Sequence, residues 1–126
     1  MANPNITAVT SIFGVTSAVA LSALPATATI VDNPAGSNAV YKINALYVSN
    51  VGISANNASI IFNRPNAGPR SPEFFIVRRV TVPQQSTLDV VSKSIYLMEN
   101  DSLRGATLSA DGGAGMMAVC SFEIIR

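Results

Sequence analysis

The chain has 126 residues, 48% of them hydrophobic and 12% charged, with a formal net charge of +1. That is the length of one domain, able to bury a core without staples, but it carries about half the charge of an ordinary soluble domain, about 25%. No His, no Trp and a single Cys exclude histidine acid–base chemistry, His-ligated zinc and internal disulfides.

The first charged side chain is Asp32. The segment before it holds Ile12, Phe13, Val15, Val19, Leu21 and Leu24, dotted with Ser and Thr. No Lys or Arg precedes its apolar part, which argues against a secretory signal. Pro25 closes the run too early for a membrane-spanning helix. Thr16 to Leu24 is Ala-rich enough for a short helix, but its alternation favours a strand or an extended arm. Residues 1–32 are expected to form an N-terminal docking arm, anchored by Ile6, Val9, Ile12, Phe13, Val19 and Leu21.

From Val40 onward, short runs rich in Val, Ile, Phe, Tyr and Thr are broken by Gly, Pro, Asn and Asp, the pattern of strands and turns. Val40 to Val51 is the longest. Tyr41 and Ile43 alternate with Lys42 and Asn44, and then Leu46 and Val48 make the other face apolar too. Such a run is a central strand, or one whose faces are switched by a bulge. Ala58, Ile60 and Phe62 mark the next strand, and Arg64 to Ser71 a loop rich in turn formers. Glu73 to Val82, Thr87 to Val91, Ile95 to Met98, Leu103 to Ser109 and Met116 to Ile125 follow, with turns at Pro83-Gln84-Gln85-Ser86, Glu99-Asn100-Asp101 and Asp111 to Gly115. Tyr41, Tyr47 and Tyr96 fall within strands and read as core. Strands at this spacing, with no long helical periodicity, predict an all-β fold. The expected architecture is one antiparallel β-sandwich, Ig-like or jelly-roll-like, of about eight short strands over residues 33–126, preceded by the arm.

Candidate sites are few. Arg64, Arg70, Arg78 and Arg79 lie in one loop and the strand after it, and are half of the 8 basic residues. Nucleic-acid binding would want more basic residues with aromatic platforms among them, and the nearby Phe74 and Phe75 read as strand core. Arginine is favoured at protein interfaces, so the cluster is assigned to contacts between subunits. Glu99 and Asp101, one residue apart in a turn, read as turn chemistry, without the aromatic platforms of a glycosidase or the ligand alternation of a calcium loop. Gly112, Gly113 and Gly115 lack the Gly-Lys-Ser/Thr ending of a phosphate loop and read as a hairpin. Cys120 has no His to activate it and reads as core. No catalytic residue, cofactor or metal site is expected.

Low charge together with an apolar leading segment suggests a surface covered by neighbouring chains. The run Val40-Tyr41-Lys42-Ile43-Asn44-Ala45-Leu46-Tyr47-Val48-Ser49-Asn50-Val51 resembles the first core strand of small β-sandwich structural proteins of tailed bacteriophages, cyanobacterial phages especially. The block from Val80 to Ala110 is similar too, with Val82-Pro83, Ser86-Thr87-Leu88, Ile95-Tyr96-Leu97 and Glu99-Asn100-Asp101-Ser102-Leu103, as is the closing Ala118 to Glu123. The Pro-rich loop from Arg64 to Pro72 and the long first arm depart from that pattern. The resemblance implies a non-catalytic virion subunit on the capsid, neck, tail or baseplate. Its partners would be other copies and other virion proteins, not nucleic acid, membrane or a small-molecule substrate. The competing expectation is a carbohydrate- or receptor-binding module of a fibre or secreted appendage.

Overall fold

Alternating side chains produce strands throughout the computed structural model, which describes residues 9–23, 26–65, 73–108 and 115–126. The elements in order are β1 (Ile12–Ala20), β2 (Ser22–Ala23), β3 (Ala28–Asp32), β4 (Val40–Asn50), β5 (Asn56–Asn63), β6 (Glu73–Val82), β7 (Ser86–Asp89), β8 (Ile95–Leu97), β9 (Ser102–Thr107) and β10 (Met116–Ile125). They form two five-stranded sheets, and the fold is an all-β sandwich, as the strand pattern led one to expect. In the first sheet β1 pairs with β10 and β10 with β4, while β7 and β8 lie end to end along the other side of β4. In the second, β9 lies between β5 and the short pair β2 and β3, and β6 forms the far edge beyond β5. All pairings are antiparallel except β2 with β9.

The double-faced run in β4 has both of its expected causes. β4 is central, and its register against β10 shifts between Ser121 and Phe122. Ile43 pairs with Phe122 and Ala45 with Ser121, so Asn44 is the extra residue of a bulge. Tyr41 and Ile43 before it, and Leu46 and Val48 after it, are therefore all buried in the core. Tyr41 stacks on Phe122 with ring centroids 5.5 Å apart. Ala58 and Ile60 of β5, Leu103 of β9, and Met116, Ala118 and Cys120 of β10 complete the centre of the sandwich.

β1, β2 and β3, all from the segment 1–32 read from the sequence as a docking arm, are woven into both sheets. β1 runs along β10 in an unbroken register from Ile12 opposite Ile125 to Ala20 opposite Met117. The chain then changes sheets at Leu21, whose N–H donates to the Met116 carbonyl at 2.9 Å. Leu21 itself is buried in the core. Gly105 of β9 makes room for it: a Cβ there would lie 2.6 Å from Leu21 Cδ2 and 3.1 Å from Ile30 Cδ1. The Ser17 hydroxyl bonds the Ile30 carbonyl at 2.9 Å, tying β1 to β3 across the sandwich.

Buried polar side chains pin the loops. Asn33 donates to the carbonyls of Ala39 and Leu97, both at 3.0 Å. Asn50 donates to those of Ser54 and Val82, both at 2.9 Å, and accepts from Gly52 N–H. Each fixes a turn against a strand distant in sequence and satisfies carbonyls that would otherwise be buried alone.

Candidate interaction surfaces

Of the carboxylates weighed as a catalytic or calcium pair, Glu99 accepts from the N–H groups of Gly36 and Asn38 at 3.1 and 3.0 Å. Asp101 accepts from Arg64 Nε and Nη2 at 2.9 and 2.7 Å and from Met98 N–H at 2.9 Å. Both acids are buried: Glu99 ties the β8–β9 turn to the β3–β4 connection, and Asp101 ties it to Arg64 just after β5. Among the described residues no group of three or more His, Cys, Asp or Glu is placed to hold a metal.

Of the four clustered arginines, the described Arg64, Arg78 and Arg79 have different surroundings. Arg64 is engaged by Asp101 and lies over the Phe62 ring at 5.0 Å. Arg78 is exposed over Phe75 at 5.2 Å. Arg79 is exposed too, and sits in a bulge with φ of 53°, its N–H donating to Ser59 Oγ. Arg70 lies outside the described residues, as does Ile6. Arg104, which the sequence did not single out, has a buried Nε with no hydrogen-bond partner.

The apolar anchors divide likewise. Leu21 is core and Val19 packs against it. Val9 is half-buried. Ile12 and Phe13 are each 56% exposed, and every residue from Ile12 to Thr16 is exposed. The first half of β1 thus projects apolar side chains into solvent.

A second apolar surface lies on the outer face of the first sheet. Val119 of β10 stands between Tyr47 of β4 and Ala18 of β1, and Met117 between Ser49 and Ala20. Tyr47, Val119 and Met117 are 42%, 39% and 42% exposed. Tyr47 and Tyr96, expected in the core, therefore face outward, and only Tyr41 is buried. For Tyr47 the bulge at Asn44 is the reason, since it puts Leu46 and Val48 in phase with Ile43 and turns Tyr47 out, whereas Tyr96 faces outward beside its cross-strand partner Lys42. The phase break between Ile43 and Leu46 was the available sequence signal.

No protein-family model matches the chain, and no curated protein matches it. Among solved structures it is similar to a chain from the acidic stable capsid structure of Helicobacter pylori bacteriophage KHP30. The TM-score is 0.53 at 9% identity, over 94% of this chain and 90% of that one. A second likeness, to a chain from Bacillus endospore appendages that form a family of disulfide-linked pili, has a TM-score of 0.46 at 14% identity over 92% and 88% of the two chains. The first likeness is one of fold: the sandwich built by this sequence is also found in a phage capsid, and nothing in it singles out phages of cyanobacteria.

Proposed function

We propose that the chain is a non-catalytic structural subunit of a phage particle, incorporated in many copies as a capsid decoration, neck, tail or baseplate component. The observation that carries this reading is the projecting first half of β1 beside the apolar outer face of the same sheet. A chain with only 8 basic and 7 acidic residues has little charge with which to keep such surfaces apart in water. Sheet edges and apolar faces are the parts of a sandwich that subunits use to assemble, through main-chain pairing and apolar burial. The fold likeness to a chain of a phage capsid supports the same reading, in which the protein is a virion component whose partners are other copies and other virion proteins.

The test is quantitative mass spectrometry of density-banded particles made by the phage that encodes the chain. Tens of copies per particle are expected from this reading. Its absence from intact particles contradicts it.

A second reading, a carbohydrate- or receptor-binding module, is favoured by the outward-facing Tyr47 and Tyr96. Aromatic faces stack on sugar rings, and a glycan array with hits abolished by Tyr47→Ala or Tyr96→Ala would establish that role.

A further inference from the structure

A sandwich of two open sheets has four edges, and three are blunted here. β7 and β8 are four and three residues long. β2 and β3 are two and five residues long, and the β3 register is broken between Thr29 and Val31. β6 is long, but its register against β5 shifts twice, and Arg78 and Arg79 stand on it with Arg79 in the left-handed region. Short strands, bulges and charges are the devices that keep edges from pairing. β1 has none of them. It is nine residues long, regular along its whole register, and free of charge and proline.

Its hydrogen-bonding parity can be read from its ends. Ser11 and Arg126 exchange N–H···O bonds in both directions, and Leu21 donates to Met116. Antiparallel pairs alternate, so in the same register the odd-numbered residues of β1 bond to β10. The N–H and C=O groups of Ile12, Gly14, Thr16, Ala18 and Ala20 then point away from the sheet. No described strand pairs with that side, and all of those residues are exposed.

The geometry points to a second copy of this chain as the occupant of this edge: β1 pairs antiparallel with β1 of another copy about a two-fold axis at Thr16. This deepens the structural-subunit reading, and rests on it in taking the edge as built for a permanent neighbour. The strand suits itself as a partner. Its bulky residues are in its first half and its small ones mostly in its second, so reversal sets Ile12 against Ala20, Gly14 against Ala18, Phe13 against Val19 and Val15 against Ser17. Thr16 meets its own copy, a favourable cross-strand pair. No like charges oppose one another, since the strand has none. The exposed side chains of Ile12 and Phe13 are covered, and the two first sheets become one continuous sheet across the axis.

The experiment measures native mass by light scattering, on the full chain and on two variants. The expected wild-type mass is twice the 13.1 kDa of one chain. Thr16→Pro removes an N–H that β10 does not use, and edge strands tolerate proline there. Thr16→Lys opposes two like charges at the axis. Both variants are expected to have the mass of one chain and to melt cooperatively, at a temperature that no longer depends on protein concentration as the wild type's does. Hydrogen exchange on the wild type gives a readout independent of variants: amides of Ile12, Gly14, Thr16, Ala18 and Ala20 gain protection as concentration rises. A wild-type monomer at about 0.1 mM, weaker than any permanent contact, overturns the inference, and so does a dimer that both variants retain. If the chain is monomeric yet abundant in banded particles, this pairing falls and the structural reading stands. If it is dimeric yet absent from particles, the reverse holds.

Discussion

Asp101 has an environment that defines its task. Its carboxylate is buried, engaged by two nitrogens of Arg64 and capped by the Met98 N–H. The Arg64 hydrogen bonds to Asp101 in turn hold that guanidinium more firmly in its charged form. Arg64 is 39% exposed at its side chain, so solvent screens part of the attraction. Asp101→Ala is expected to cost about 2 kcal/mol, the scale of charge-assisted hydrogen bonds lost at a buried acceptor, read as a lowered midpoint in urea. Cys120 is defined by burial in the same way. Desolvation pushes its thiol up to about 11 from an ordinary 9.0. The folded state prefers the neutral thiol, so this contribution is full below about pH 9 and is lost as pH rises toward 11. The stability difference between wild type and Cys120→Ala is expected to shrink over that window by on the order of 2 kcal/mol. The native thiol should also resist Ellman's reagent at pH 8, reacting only after denaturation.

β1 and its continuation carry two kinds of apolar residue that the sequence alone does not separate. Leu21 fills space left by Gly105, whereas Phe13 projects into solvent. Leu21→Ala is expected to cost about 2–4 kcal/mol, the range for buried leucines that leave a cavity. In the Thr16→Lys background, where β1 is left unpaired, Phe13→Ser should change stability by less than about 0.5 kcal/mol, as exposed substitutions do. Paired urea titrations check both. The later strands were legible because turn formers bracket them: Val40–Asn50, Glu73–Val82 and Met116–Ile125 lie close to the bounds read from alternation. Ile12–Asp32 was harder. Its apolar residues look alike whether they reach a neighbour or the core, and only the room at Gly105 and the pairing with β10 distinguish them. Arg64 looked like an interface residue because its partner Asp101 is 37 positions away, a separation that composition and spacing do not bridge.

At the scale of the molecule, the few ionised groups are unevenly spent. Glu99, Asp101 and Arg64 serve the interior pins, the outer face carries Asp89 beside Tyr47 and Lys42 beside Glu123, and the free edge strand β1 carries no charge of its own. A sandwich meant to live alone in water would place charge along that edge. The most direct measurement is a cryo-EM map of the banded particle at a resolution that traces strands. The account predicts this sandwich in regular repeats, with the outer face of the β1–β10–β4 sheet and the β1 edge both covered by neighbouring chains. A map in which those two surfaces face bulk solvent, or in which the sandwich is absent, would contradict it.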